Sequence, residues 1–511
     1  MAGKKWQMIE WTFEGPHTGN PFVDVELWAD FYFKHRKVTV RGFYDGNGVY
    51  KIRFLPDEEG SWRFETRSSC PELDHIERLF EVAAQAPDQH GLVQVDKETH
   101  FAFQDGTPYF PFGTTAYVWN HQSPEMQQKT LASFAAAPFN KVRMCVFPKY
   151  YDYNTTEPAI YPFEGQPLHI SDGHFDGKDW MVKENGFDFT RFVPDFFQQL
   201  DQQIVALGEM GIQVDLILFH PYDHWGFASM GEEADLRYLR YLLARVAAFP
   251  NVWFALANEY DLMALVGQKE RTAWDELFKC VKEEDPYGHL ASIHNFYHPP
   301  LHFTDHTHWY DHHKSWVSHV SIQHDTMFFV PGWLKEYRKP IMIDECRYEG
   351  NLNHGWGNLT AEAMTSQFWL AICHGGYATH GETYLNEDGS IFWAHGGTLK
   401  GASVERIAFL RSLVEENNWQ FEPLGSESSH WETAAGIAED GTVLVYLGAD
   451  SQASFKIFDI LPEEKTYTVN LIDTWNMTTQ PLEIVADAAT KIALPAKPYL
   501  ALQFTEIEST Y

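Results

Sequence analysis

Positive charge is scarce in this chain. Lys and Arg number 38 against 71 Asp and Glu, a formal net charge of −33. A field of that sign repels phosphate backbones and anionic lipid headgroups, so no nucleic acid and no membrane surface is expected as a partner. Strongly acidic substrates are disfavoured for the same reason, and a small neutral ligand fits. Cysteine is scarce too. Cys70, Cys145, Cys280, Cys346 and Cys373 are odd in number, widely spaced and form no CxxC. That argues against a disulfide framework or a zinc finger and suits a reducing compartment. No run of about 18 apolar residues exists to span a bilayer. The opening stretch MAGKKWQMIEWTFEG has no apolar h-region, so a cytoplasmic protein is expected. No GxSxG nucleophile elbow occurs, and no GxGxxG follows the first strand of the central region.

What is present in surplus is aromatic. Phe, Trp and Tyr make up 16% of the 511 residues, with 18 Trp and 24 Tyr. Flat apolar faces with a polar edge fill cores, and they also line sugar sites. The length suggests two to four domains, and 44% hydrophobic residues can bury a sizeable core.

Three textures follow one another. From 1 to 90, alternation through Phe22–Phe33, Val38–Val40, Tyr50–Phe54 and Trp62–Phe64, with turns such as Asp45-Gly46-Asn47-Gly48, predicts an antiparallel β-sandwich. From 91 to 424, apolar runs of strand length alternate with amphipathic helices. The strands are read at Tyr109–Gly113, Lys141–Val146, Val214–Phe219, Val252–Leu256, Leu290–Ile293, Trp316–Ile322, Pro340–Ile343 and Gly376–Thr379. One helix carries Phe196, Phe197, Leu200, Ile204 and Leu207 at close to a 3.6 period. Eight such units predict a (β/α)8 TIM barrel. From 425 to 511, Val443–Leu447, Tyr467–Leu471 and Tyr499–Phe504 predict a second antiparallel sandwich. The fold class is therefore α/β, a central barrel flanked by two β-sandwich domains.

In such a barrel the chemistry sits at the C-terminal strand ends. The fourth strand ends Asn258-Glu259 and the seventh Asp344-Glu345. Two carboxylates on opposite walls of one bowl suit glycoside hydrolysis, in which one protonates the leaving oxygen and the other attacks or supports an oxocarbenium-like centre. Arg143 lies within the second strand. Tyr117 and Trp119 follow the first strand, and His220, Asp223 and Trp225 the third. His294 and Asn295 end the fifth, His324 follows the sixth, and Glu382 and Trp393 follow the eighth. All are candidate sugar-binding groups. The histidines at 306, 308, 312 and 313 crowd the loop between strands five and six, but the stretch holds no HExxH and reads as polar loop rather than a metal centre. Cys346 should point away from Glu345, since strands alternate faces. No cofactor is implied.

The Asn-Glu on strand four with a Glu on strand seven resembles the clan A glycosidases. That resemblance implies Glu259 as acid/base, Asn258 on the sugar 2-hydroxyl and Glu345 as nucleophile of a retaining reaction. Barrels that this one resembles place an arginine of the second strand beside the nucleophile, which implies Arg143 as a cation that keeps Glu345 ionised. FLPDEEGSWRFET (54–66) is similar to the DUF5060 sandwich. The barrel resembles the DUF4038, or apiosidase-like, glycosidases, and HGETYLNEDGSIFWAHGGTLKGASVERIAFLR (380–411) with the tail resembles the DUF5605 arrangement. The resemblance implies glycoside hydrolysis; the numerous strand-end groups and the long loops after strands one, two, three and five favour a closed pocket, hence exo cleavage of a neutral β-linked glycoside, a β-galactoside or β-glucoside first and a pentoside next. A catalytically inactive carbohydrate-binding protein and a metal-dependent hydrolase using the histidines are the rival classes. A homo-oligomer is compatible with the sequence.

Overall fold

The structure is a computed structural model, and it describes residues 2–168, 186–296, 309–424, 433–456, 461 and 465–507. At its centre lies a parallel eight-stranded sheet: β1 (Gly113–Thr115), β2 (Lys141–Cys145), β3 (Gln213–Phe219), β4 (Val252–Ala257), β5 (Ala291–Ser292), β6 (Val320–Gln323), β7 (Ile341–Glu345) and β8 (Tyr377–His380). Their lateral order is β5-β4-β3-β2-β1-β8-β7-β6. A parallel bridge between His294 and Ser321 joins the β5 and β6 edges. The barrel is thereby closed in chain order, as the alternation of strand and helix requires.

Strand alternation sorts the residues. Val142, Met144, Val214, Leu216, Leu218, Phe254 and Leu256 point outward into one apolar shell with helices Pro194–Glu209 and Glu232–Val246. Lys141, Arg143 and Asp215 take the alternate positions and are wholly buried. The barrel interior is therefore ionic beneath the strand ends. Lys141 Nζ lies 2.7 Å from both Asp215 and Asp344, and Arg143 lies 3.0 Å from Asp344. Pairing of this kind offsets much of the cost of burying these charges.

Two sequence expectations need correction. Tyr109–Gly113 is not the first barrel strand. Pro108–Tyr109 belongs to a small antiparallel sheet with Val93–Asp96 and His100–Phe103. Phe101 and Tyr109 of that sheet pack on Trp253, near the start of β4, so it covers the N-terminal end of the barrel. Aromatic richness made this plug look like a strand of the barrel wall. Likewise Pro21–Asp24 is a short helix rather than the start of a strand, with Pro21 in its first turn. There a fixed proline φ suits a helix start.

The N-terminal region packs a five-stranded sheet against a three-stranded one. Between them lie Trp11, Phe31, Phe54, Phe64 and Phe80, with the Phe31 and Phe54 rings stacked at 3.9 Å. The pairing is antiparallel except at one edge, where Ala2–Lys4 runs parallel to Glu81–Ala83. At the C-terminal end a six-stranded antiparallel sheet faces helix Ala361–Cys373, through Trp369 stacked on Tyr446. Its other face packs on the two-stranded antiparallel sheet of Ser454–Lys456 and Lys491–Ala493 through Phe455 and Ile492. Among the described residues no helix is long and apolar enough to cross a membrane.

Candidate active site

β4 and β7 deliver Glu259 and Glu345 to one end of the barrel, where both line a cavity of about 610 Å³. Glu259 lies just past its strand with φ +53°. A non-glycine residue in the left-handed region is held there at a cost of roughly 1–3 kcal/mol. The turn it makes aims the carboxylate into the cavity instead of continuing the strand.

One side chain bridges the two acids. Gln323, the last residue of β6, donates from a single amide nitrogen to Glu259 Oε1 at 3.2 Å and to Glu345 Oε2 at 2.6 Å. Those two oxygens can therefore be at most about 5.8 Å apart. Each carboxylate also has its own tyrosine. Tyr222 donates its hydroxyl to Glu259 Oε2, and Tyr117 donates to Glu345 Oε1.

The same residue type meets two different fields. Burial, then the negative charge of Glu345, pushes Glu259 up to about 8, and the Tyr222 hydroxyl, Lys149 and Gln323 only partly oppose that. Burial would raise Glu345 as well. There, His294, the Arg143 cation and the Tyr117 hydroxyl outweigh it and hold the carboxyl well below its usual range. His294 sets Nε2 3.4 Å from Glu345 Oε1. At neutral pH one site thus holds a protonated acid and an ionised carboxylate, the division of labour that two-carboxylate chemistry needs.

Arg143 needs a correction. It was expected beside Glu345, but its closest charge is Asp344, at 3.0 Å. It also donates to Asn258 Oδ1 at 2.9 Å. Its effect on Glu345 is therefore electrostatic at a distance. Its direct effect is on Asn258, whose amide oxygen is committed to the guanidinium, which turns the amide NH2 the other way.

Trp393 and His324 line the cavity. Asn295 does so only indirectly, since its Oδ1 accepts the backbone N–H of Gln323 at 3.1 Å and fixes the bridge. Five expected sugar-binding residues lie elsewhere, for recognisable reasons. Trp119 is buried against Phe134 in the outer apolar shell, because the chain turns into a short 3₁₀ segment there. Asp223 accepts the backbone N–H groups of Trp225 and Ala228, so it shapes its own loop. Trp225 is buried and donates Nε1 to Glu157 at 2.7 Å. His220 is buried, with Nε2 3.2 Å from the Phe147 carbonyl. Glu382 is buried and accepts from the Lys400 and Gly401 backbone, pinning that loop. Polar residues past strand ends serve loop architecture as readily as ligands. Cys346 does face outward, with Sγ 3.6 Å from the Thr379 carbonyl. His306 and His308 fall outside the described residues; His312 is buried in an aromatic surround of Trp309, Tyr310 and Tyr337.

Sequence reasoning did not single out Tyr222, Gln323 or Lys149. Gln323 could have been found, because it ends a barrel strand like the two glutamates. Tyr222 sits three residues past β3 in a loop crowded with polar candidates. Lys149 lies four residues past β2, and no local pattern marks it.

Comparison with known proteins extends these observations. The sequence profile of the apiosidase-like catalytic domain matches residues 96–420. Two domains of unknown function flank it, DUF5060 over 3–69 and DUF5605 over 431–505. Among solved structures, a candidate glycoside hydrolase from Bacteroides vulgatus ATCC 8482 is 38% identical with a TM-score of 0.89, and the match covers 99% of this chain and 100% of that one. A family 5 glycoside hydrolase from the same organism is 14% identical, with a TM-score of 0.59 over 84% of this chain and 97% of that one, a likeness of fold. No curated protein matches significantly.

Proposed function

The chain belongs to the apiosidase-like glycoside hydrolases, and from that premise we propose that it cleaves a neutral β-linked glycoside with retention, Glu345 acting as nucleophile and Glu259 as acid/base. The observation that carries this reading is the single Gln323 nitrogen that reaches both carboxylates. Retaining enzymes keep their two carboxyl groups about 5–5.5 Å apart, whereas inverting ones need about 6.5–9.5 Å to admit a water. An oxygen separation of at most about 5.8 Å favours the former.

In the first step a Glu345 oxygen bonds to the anomeric carbon as the bond to the leaving oxygen breaks. Glu259 gives its proton to that oxygen. Glu345 is now an uncharged ester, so the repulsion that raised Glu259 is gone and Glu259 becomes a competent base. It then takes a proton from water, whose oxygen bonds to the anomeric carbon and returns Glu345 as carboxylate. Asn258 offers its amide NH2 to the sugar 2-hydroxyl, and Trp393 offers a ring face.

The cavity has the dimensions of a small-ligand site, which supports exo action on a terminal sugar or short oligosaccharide. A β-galactoside or β-glucoside is the first substrate class and a pentoside the second. A panel of aryl β-glycosides distinguishes them. Glu345→Gln should abolish turnover of whichever is cleaved while circular dichroism stays native. Near-native activity in that variant contradicts the assignment.

A further inference from the structure

Beneath the two carboxylates lies a cation that the reaction as described does not use. Lys149 is only 2% exposed. Its Nζ sits 4.0 Å from the centre of the Tyr117 ring, 4.0 Å from Tyr222 and 4.2 Å from Trp393. Among the described residues its ammonium has no hydrogen bond and no ion pair; its company is aromatic. An ammonium withdrawn from water without a carboxylate in contact is costly. Three ring faces, each able to give about 2 kcal/mol or more to a desolvated cation, offset much of that. Burial still pulls the amine down to about 8, while the charges of Glu259 and Glu345 favour its ammonium form, so Lys149 is a cation at neutral pH and loses that charge in the same range as Glu259 loses its proton.

The identity of the rings is what matters. Tyr117 and Tyr222 are the two residues whose hydroxyls rest on Glu345 and Glu259. Their edges hold the carboxylates while their faces hold the lysine. The cage thus ties both reacting groups to one buried point beside the cavity.

We propose that Lys149 is a positioning residue for hydrolysis: its caged ammonium fixes the two tyrosines that orient nucleophile and acid/base, and its charge bears directly on Glu259. The inference rests on the double-displacement reading above. The charge has a defined sign of effect. A cation near Glu259 favours its ionised form, which is the form required when water attacks the glycosyl-enzyme. The other charged or titratable groups facing Lys149 are Arg143 and Cys145 from β2, Tyr151 just beyond them, His220 past β3 and Glu345 from β7.

The test is Lys149→Met in the full chain, which keeps the length of the side chain and removes its charge. Loosening the two tyrosines that orient the carboxylates should lower kcat/KM by roughly 10- to 100-fold. The basic limb of its pH profile should move upward, because Glu259 loses a neighbour that favours ionisation. A lysine that only fills space would leave that limb in place. In a Tyr222→Phe background the further loss on removing Lys149 should be smaller than in the native background, since one of the two links it works through is already cut. If Lys149→Met does not fold, Lys149→Gln carries the same measurements. Activity within twofold of native, an unmoved basic limb, or full additivity with Tyr222→Phe would overturn the proposal. Glu345→Gln, measured alongside, separates the two readings: if it is inactive while Lys149→Met is native-like, only the role of Lys149 falls.

Discussion

Glu259 and Glu345 are one residue type made into two reagents by their surroundings. Burial and a neighbouring carboxylate raise the first to about 8. The second is buried as well, but His294, Arg143 and Tyr117 hold it ionised. Interacting acids titrate as a pair, so the activity profile reports both together. The sign of each limb is nonetheless fixed. In the proposed reaction Glu259 enters protonated, so kcat/KM should fall as pH rises through about 8. In the same reaction Glu345 enters ionised, and with its carboxyl depressed the acidic limb should lie below the ordinary carboxylate range, near 4.3 in model peptides. A profile of kcat/KM against pH on one aryl glycoside checks both limbs. An acidic limb at or above pH 5 would contradict the environment described for Glu345.

At the scale of elements, the alternation of strands explains the foundation of the site, and a register shift at Gln323, the partner of Glu345, ends that alternation where the cavity begins. Outward positions such as Val214 and Leu216 make the apolar shell, and inward Lys141, Arg143 and Asp344 make a charged floor. Asp344 stands one residue before the proposed nucleophile yet serves that floor. Asp344→Asn should leave Lys141 and Arg143 undercompensated and lower stability by about 3–5 kcal/mol in urea denaturation. A loss below 1 kcal/mol would show that the floor does not depend on this pairing. This logic also marks where the sequence could and could not be read. The eight-strand count and the two glutamates were legible, because continuous apolar runs and strand ends leave a local signal. The first strand was misplaced, since the aromatic plug at Phe101 and Tyr109 mimics a wall strand. Trp119, Asp223, Trp225, His220 and Glu382 were misread because loop-shaping hydrogen bonds and ligand contacts use the same residue types. Lys149 was invisible, since its partners Tyr117, Tyr222 and Trp393 come from three distant parts of the chain.

At the scale of the whole molecule, the N-terminal sheets are tied to the barrel by buried charge as well as by apolar packing. Arg245 on helix Glu232–Val246 pairs with Asp45 of the N-terminal region and with Asp201 of helix Pro194–Glu209, each at 2.6 Å. Arg53 reaches the same Asp201 at 2.8 Å. These contacts set the sandwich against the outer helices, away from the strand ends that line the cavity, and leave the cavity to the barrel's own loops. The net charge of −33 surrounds that cavity with a field that suits a neutral sugar. The central claim is that two carboxylates bridged by Gln323 act by double displacement. It is tested most directly by following the anomeric proton of the first-formed product by NMR during cleavage of an aryl glycoside. Double displacement makes the substrate's own anomer appear first, with mutarotation later. The opposite anomer appearing first would mean a single displacement by water and would contradict it.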